Sequence, residues 1–557
     1  MYNFALPARS YLHSEEKTNT FVLFFSRFSV TLQATCTCWL TFIEDFPEVL
    51  REKTNHESMQ RSSIYTYVLL SLAFIVVNVI TLGSLPPWID EVMMLDTSYN
   101  MAVHGAWETT AWYRVVGQYP FSTYPPLYQM VATAWIWLFG GSLVAVRSLN
   151  LIITFVLGGM CLRLMKRHGV RLTAWTVALF TLLLWGTSEM AWMYRNGRPD
   201  MLCALMLVVT VFAVDAYLSA KSPASRLAVV LSSALLLCSG IQAAVCLLVL
   251  WLFFFIAAQG QRRACLRLLG LLLSGVLLGV VMVALFMAAH GRLVAFASSI
   301  VQYSATLSGI ALAVLPWAGE VFGFSAAPYM QKLLELSTES SLSERLAFIA
   351  EYRSFLLLSV TAIAAYAWCF RQNLKALMSD RGFLMLLCAL YVPFVMTLAG
   401  RFVAYYRWMA FLPLLIAIMS IAVRSRLWCS VFSVVAVVLT VFGIRSMSPD
   451  RQWDYGNMRS FVERQHFRSS DAVVCPFSVF YEMKPVCDTC YFVGIFPTEY
   501  LGRVDYIIEP RGSSDGFDRP ITGYVDRLKT DSTVVLTAID HCEHPSLTLY
   551  QVRKKHE

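Results

Sequence analysis

The stretch WIDEVMMLDTSYNMAVHGAW, residues 88–107, follows an apolar run at 64–84 and carries the acidic residues Asp90, Glu91 and Asp96. The run at 64–84 has about the 20 apolar residues that cross a bilayer. Carboxylates placed directly after such a run are partly desolvated by the apolar surface, which suits proton abstraction or cation binding. The alternative is structural, because two acids in the first turn of a surface helix also stabilise that helix.

The composition is that of a polytopic membrane protein. The chain of 557 residues is 57% hydrophobic and 14% charged, and its mean hydropathy is +0.58. Soluble domains carry about a quarter charged residues. The net charge of +8 could suggest a nucleic-acid partner, but the Lys and Arg residues lie in short loops between apolar runs. That pattern is the positive-inside signal, so the basic residues indicate topology and no nucleic-acid partner is predicted.

The loop charges fix the first external segment. The apolar run at 143–162 is followed by the densest basic loop of the chain, residues 163–171, which should be cytoplasmic. The run at 127–141 is too short for a comfortable crossing, and a run of that length more often lies at the interface. Residues 85–142 are therefore predicted to form one long external loop of helices lying on the membrane surface.

The same alternation predicts about eleven membrane-spanning helices in all. The predicted spans share high apolar content and lie at 64–84, 143–162, 173–192, 200–219, 226–239, 241–258, 267–289, 352–370, 382–399, 408–423 and 427–444. The stretch 226–258 is open to two interpretations, one long helix or two short helices that turn at Ser239–Gly240.

Three parts of the chain follow from this pattern. Residues 1–58 fit poorly with the rest, and a basic start at Met59 leads into the first span, so 1–58 is predicted to be a poorly structured extension before the true start. Residues 59–445 form the membrane module, with a second external loop at 290–351. Residues 446–557 carry the strand-like runs DAVVCPFSVFY, VDYIIEP and STVVLTAID and the helical stretch MRSFVERQHF, which predict a small extracytoplasmic α/β domain.

A second acidic site lies in the loop YRNGRPDMLCALML, which emerges on the same external side. It carries Arg195, Arg198 and Asp200. An Asp at the mouth of a membrane helix can be only a cap, but two acidic sites and external arginines on one face favour an active cleft.

A third polar cluster, GRFVAYYRW, places Arg401, Tyr405 and Arg407 on the external side. Guanidinium groups bind phosphate through paired donors. The alternative role is anchoring at the interface, where Arg and Tyr are common.

Three stretches resemble successive signatures of the GT-C glycosyltransferases, in the branch of the protein O-mannosyltransferases and the lipid A aminoarabinose transferases. They are WIDEVMMLDTSYNMAVHGAW, STYPPLYQMVATAWIWLFGGSLVAVRSLNLI and RNGRPDMLCALML, in family order. The resemblance covers residues 60–260 well, is general over 290–445 and is absent from the tail. It implies an integral enzyme that takes a sugar from a polyprenyl-phosphate donor and passes it to a protein, lipid or glycan acceptor on the outer face, in a bacterial inner or plasma membrane.

The resemblance also implies roles for individual residues. The first-loop acid, the catalytic base or a ligand of a divalent cation, corresponds to Asp90 with Glu91 beside it, and the acid of the second outer loop corresponds to Asp200. The family commonly has an Arg-Tyr pair before a late span, where this chain has Arg407-Trp408. Arg407 and Arg401 are therefore both candidates for binding the donor phosphate.

Tyr124 of the STYPPLY motif and His104 complete the predicted substrate-binding residues. For His104 the equal alternative is a histidine on a helix face without such a role. Arg195, Arg198 and Tyr405 belong to the same predicted set. A cation is optional, and oxygen ligands from Asp90, Asp200 and water would suit Mg²⁺ or Mn²⁺.

Two other functions are weighed against the transferase. A transporter or flippase of lipid-linked sugars should show internal repeats and charges inside the spans, whereas the acids here cluster at external ends. A glycan polymerase or ligase of related architecture remains an alternative.

The tail cysteines raise a separate question. Cys475, Cys487, Cys490 and Cys542 could bind zinc together with neighbouring histidines, but on the oxidising side of a membrane disulfides or thiols are favoured.

Overall fold

The computed structural model describes residues 56–87, 89–107, 109, 124–257, 262–294, 296–297, 352–398, 407–446, 453–487, 489–491, 504–511 and 519–554. The predicted extension before Met59 lies almost wholly outside the described residues, and so do Arg401, Tyr405 and nearly all of the loop 290–351.

The regular secondary structure of the membrane module is helical over its described residues. Its helices are α1 His56–Thr81, α2 Ile89–His104, α3 Leu127–Phe139, α4 Leu143–Arg167, α5 Ala174–Gly186, α6 Ser188–Tyr194, α7 Asp200–Ala220, α8 Pro223–Ser239, α9 Ile241–Ala257, α10 Arg262–Ala289, α11 Arg353–Cys369, α12 Leu374–Met378, α13 Arg381–Leu398, α14 Arg407–Ala422 and α15 Arg426–Ser446.

Five stretches of the described residues are long and apolar enough to cross a membrane. They are Arg61–Ser84, Leu143–Arg167, Asp200–Ala220, Arg262–Ala289 and Arg426–Arg445. These five helices make the chain a helical membrane protein. The other predicted spans are shorter apolar helices, so the total of eleven spans stays a prediction.

Helix α3 has the short length that the sequence predicts for a helix on the membrane surface. Its 13 residues rise about 20 Å, which is less than the roughly 30 Å of the hydrocarbon core. It ends at Gly140, whose φ of +87° is a left-handed conformation that glycine adopts without strain.

The predicted span 173–192 is wrong as a single helix, because it breaks at Thr187 into α5 and α6. The break lies where Gly186 packs against α15, and a Cβ on Gly186 would lie 2.8 Å from the Cβ of Thr440. For the stretch 226–258 the structure decides between the two interpretations, since α8 and α9 are separate helices that meet at Gly240.

The tail contains a five-stranded mixed sheet and three described helices. The helices are α16 Tyr455–Arg464, α17 Phe480–Met483 and α18 Arg519–Thr530, and the strands are β1 Ala472–Val474, β2 Thr489–Tyr491, β3 Tyr506–Pro510, β4 Val534–Cys542 and β5 Leu547–Lys554. The strand order is β2-β1-β3-β5-β4. Strand β1 pairs in parallel with β2 and β3, and β5 pairs antiparallel with β3 and β4.

The sheet owes its core to α18, which packs an apolar face on it. Tyr524, Val525 and Leu528 of the helix are buried with Ile507 of β3. The predicted runs DAVVCPFSVFY, VDYIIEP and STVVLTAID contain β1, β3 and most of β4. The sheet and the apolar helices from Thr66 onward belong to one compact unit.

Candidate active site

Asp90 and Glu91 lie in the first turn of α2, and their side chains have different partners. Successive residues on an α-helix point about 100° apart. The Glu91 side chain is fully buried and pairs with Arg147, whereas the Asp90 side chain is 24% exposed and pairs with Arg198. Two adjacent carboxylates therefore belong to two separate clusters.

The Glu91 cluster closes the end of the first span. Arg147 donates from Nε to Glu91 Oε1 and from Nη2 to Glu91 Oε2, both at 2.8 Å. It also donates to the carbonyl oxygens of Leu82 at 2.8 Å, Leu85 at 3.0 Å and Pro86 at 3.1 Å. The Glu91 carboxylate is fully buried in this ion pair, and its predicted catalytic role stays a prediction.

The Asp90 cluster is organised by Arg198. The guanidinium donates from Nε to Asp200 Oδ2 at 2.9 Å and from Nη1 to Asp90 Oδ2. Its Nη2 lies 3.5 Å from the hydroxyl of Tyr124. The structure thus brings together four of the predicted site residues, but only Asp90 and Tyr124 are partly exposed, because Arg198 and Asp200 are buried. The expectation that both carboxylates face water is wrong for Asp200.

The loop that carries Arg198 is held by two local contacts. Asn150 of α4 donates from its amide nitrogen to the carbonyls of Asn196 at 2.6 Å and Arg198 at 2.8 Å. Gly197 packs directly on α2, where a Cβ would lie 2.9 Å from Glu91 Cγ and closer still to Leu95. The absence of a side chain at residue 197 therefore allows the close approach that sets Arg198 beside Asp90.

Arg195 has a structural role that differs from its predicted one. It donates from Nη1 to Asn78 Oδ1 at 2.7 Å and Thr81 Oγ1 at 2.8 Å, and from Nη2 to the carbonyl of Thr81 at 2.8 Å. Burial lowers the pKa of the Arg195 guanidinium to about 10, so it stays charged at neutral pH. A cation at a helix C-terminus is stabilising, so these contacts anchor the end of α1, and the substrate-binding role of Arg195 stays a prediction.

His104 and Arg407 lie in other surroundings. His104 is exposed at the last residue of α2, about 21 Å of helix rise from Asp90, and its predicted role in substrate binding stays a prediction. Arg407 begins α14, and its guanidinium lies 4.2 Å from the centre of the Tyr352 ring.

A cation bridging Asp90 and Asp200 does not fit this arrangement. The Arg198 guanidinium lies between the two carboxylates and supplies the positive charge that a bridging Mg²⁺ or Mn²⁺ would bring. Over the part of the chain that the structure describes, no group of three His, Cys, Asp or Glu residues is arranged for a metal. The reaction proposed for this site therefore uses neither Asp90 nor Asp200 as a metal ligand.

The four tail cysteines are buried thiols and not disulfides. Cys490 donates from Sγ to the carbonyl oxygen of Cys487 at 3.3 Å. Burial raises the pKa of the Cys490 thiol well above its usual value. The sequence left zinc ligands, disulfides and thiols as alternatives for these four residues, and in the structure they are thiols.

Several residues of the site were not found from the sequence. Arg147 carried a signal, because a charged residue within the apolar run 143–162 must find a buried partner. Asn150 and the tail residues Tyr481 and Lys484 carried none, since their partners lie far away along the chain.

Comparison with solved structures finds chains of similar fold. ArnT from Cupriavidus metallidurans in the apo state is 12% identical, with a TM-score of 0.46, over 86% of this chain and 97% of that chain. The same protein bound to undecaprenyl phosphate is 13% identical, with a TM-score of 0.45 and the same coverage. The Archaeoglobus fulgidus oligosaccharyltransferase in complex with Zn and sulfate is 12% identical, with a TM-score of 0.46, over 80% of this chain and 67% of that chain.

No protein-family model matches the chain, and no curated protein matches its sequence.

Proposed function

We propose that the chain is a membrane glycosyltransferase that moves a sugar from a polyprenyl-phosphate-linked donor to an acceptor on the extracytoplasmic face. One observation carries this proposal: Arg198 holds a partly exposed Asp90 against a buried Asp200, at the ends of α2 and α7. Two of the three motifs that resemble the GT-C signatures contain these residues, the first Asp90 and the third Arg198 and Asp200. The membrane is that of a bacterial cell, and the acceptor is a protein, a lipid or a glycan.

The proposed reaction is a displacement at the anomeric carbon of the donor sugar. An acceptor hydroxyl oxygen bonds to the anomeric carbon while the bond from that carbon to the phosphate oxygen breaks, and polyprenyl phosphate leaves. The acceptor proton passes to the carboxylate of Asp90, the exposed member of the cluster. Positioned general bases contribute about 10²–10⁴-fold to the rate of such steps.

The other residues of the cluster orient Asp90 and the substrates. Asp200 is buried and fixes the Arg198 guanidinium, which in turn fixes one oxygen of Asp90. The hydroxyl of Tyr124 lies beside the same guanidinium and supplies a polar contact for the donor or the acceptor. Basic side chains near the phosphate stabilise the charge that develops on the leaving group, and Arg407 or Arg401 is proposed for that role.

Replacement of Asp90 tests the proposal. The protein in proteoliposomes is given labelled sugars on polyprenyl phosphate together with protein, lipid and glycan acceptors. We expect Asp90→Asn to lower transfer by about 10²-fold or more, because the amide accepts no proton from the acceptor. Asp200→Asn should lower transfer as well, since it releases Arg198.

The matched control is Asp215→Asn. Asp215 is an 18% exposed carboxylate that also pairs with an arginine, Arg167, and this variant should transfer at the wild-type rate. Near-normal transfer by Asp90→Asn would contradict the proposed base. Movement of the labelled donor across the bilayer, without transfer by the wild type, would instead support a flippase.

A further inference from the structure

Two side chains of the tail contact the helix that carries Asp90. The hydroxyl of Tyr481 donates to Glu91 Oε1 at 2.8 Å, and Lys484 Nζ lies 3.1 Å from Asp96 Oδ1. Glu91 and Asp96 are fully buried, and Tyr481 and Lys484 are each 4% exposed. Burial raises the pKa of the Tyr481 phenol well above its usual value, so the phenol keeps the proton that it donates.

These two contacts fix both the position and the rotation of α2. Glu91 and Asp96 lie five residues apart, which on an α-helix is about 7.5 Å along the axis and about 140° around it. A helix held at two heights and on two sides can neither slide nor roll freely. Each contact is shared with the membrane module, since Arg147 also binds Glu91 and Thr109 donates to Asp96 Oδ2 at 2.7 Å.

The reacting group lies directly beside the first of these contacts. Asp90 precedes Glu91 in the chain, so any roll of α2 moves its carboxylate relative to Arg198 and to a bound acceptor. A misplacement of about 1 Å in an active site can cost about 10²-fold in rate. The tail is therefore placed to control the alignment of Asp90 through α2 without touching a substrate.

We propose that Tyr481 and Lys484 are positioning residues of the transfer reaction, which hold α2 so that Asp90 meets the acceptor. This proposal rests on the proposed function, because it assigns the tail a part in that reaction. Both residues act through Glu91 and Asp96 and leave the binding of the donor to other groups.

The test compares Tyr481→Phe with Tyr455→Phe in the full-length protein. Tyr455 donates its hydroxyl to Glu482, the residue next to Tyr481 in the chain. We expect Tyr481→Phe to lower kcat by about tenfold with KM for the lipid-linked donor within twofold, and Tyr455→Phe to keep both values. A general loss of folded protein would instead lower the active fraction in both variants.

A second variant removes the other contact without leaving a buried charge behind. Lys484→Met combined with Asp96→Asn replaces the ion pair by neutral side chains of similar size, and it should also lower kcat with KM for the donor unchanged. Hydrogen exchange of the peptide that covers α2 is measured in the same samples. We expect faster exchange there in both the Tyr481→Phe and the Lys484→Met/Asp96→Asn proteins than in the wild type or in Tyr455→Phe.

The outcomes separate the two proposals. Wild-type kcat and wild-type exchange of α2 in both variants would overturn the positioning role while the proposed function stands. If the wild-type protein transfers no sugar from any donor, the proposed function fails and the catalytic part of this proposal fails with it, whereas the exchange of α2 still shows whether the tail holds the helix.

Discussion

The Glu91 cluster and the Asp90 cluster are built from neighbouring residues of one helical turn, yet they differ in almost every physical respect. The Glu91 carboxylate is buried, and its partner Arg147 donates hydrogen bonds to that carboxylate and to three backbone carbonyls. Asp90 is partly exposed and shares its arginine with a second carboxylate. Adjacency in the sequence therefore says little about shared function on a helix, where the next side chain points about 100° away.

The two clusters also differ in the hydrogen-bonding atoms that they leave without a partner. Among the described residues, Asp200 Oδ1 is buried without a hydrogen-bond partner. A buried polar atom without a partner costs about 1–3 kcal/mol, and such exceptions are expected at functional sites. Both oxygens of Glu91 accept hydrogen bonds, whereas the Asp90 cluster keeps one buried carboxylate oxygen without a partner.

The largest expected effect comes from breaking the sealed cluster. Arg147→Met leaves Glu91 charged and buried, and removal of one partner of a buried ion pair costs about 3–5 kcal/mol of stability. Thermal unfolding of the purified protein in detergent measures it. Arg167→Met is the control, since Arg167 is 44% exposed in its pair with Asp215 and such pairs are worth about 0–1 kcal/mol. Equal unfolding temperatures for the two variants would remove the distinction between the clusters.

A smaller effect is expected where the two clusters meet. Gly197→Ala puts a Cβ against Leu95 and Glu91, and overpacking of this kind costs about 1–3 kcal/mol. Because the same loop carries Arg198, transfer activity should fall as well. The control is Gly270→Ala in α10, where a Cβ meets no atom within 4 Å; unfolding temperature and transfer rate are measured for both. An unaffected Gly197→Ala protein would show that the loop does not need its close approach to α2.

The smallest effect is expected from removal of divalent cations. Since the Arg198 guanidinium already pairs with both Asp90 and Asp200, EDTA should change the rate of transfer by less than about twofold. The rate is measured with the chelator and again after addition of Mg²⁺ or Mn²⁺. A loss of activity that Mn²⁺ restores would show that the open cluster rearranges around a cation.

Much of the fold could be predicted because it depends on local patterns. Apolar runs predicted the helices of the described membrane module, the length of the run at 127–141 predicted the short α3, and turn residues separated the strands β1, β3 and β4. The break between α5 and α6 could not be predicted, because it lies where Gly186 meets α15. Strand β2 is three residues long and gives almost no periodic signal.

The candidate site was predicted in its members and not in their arrangement. Asp90, Arg198, Asp200 and Tyr124 were singled out from the sequence, and the structure places them together. The partners of Glu91 and Arg195 were not predictable, since each depends on which neighbour a side chain meets after the helices pack.

The sequence by itself determined that this chain is a helical membrane protein and where its polar residues leave the apolar runs, because run length and charge position are properties of consecutive residues. Only the tertiary structure decided which carboxylate is sealed and which stays open. The partners of Glu91 come from residues 56 and 390 positions away, Arg147 and Tyr481. Which carboxylate is buried depends on the rotation of α2 against α4, the loop that carries Arg198, and the tail. No local sequence pattern encodes that rotation.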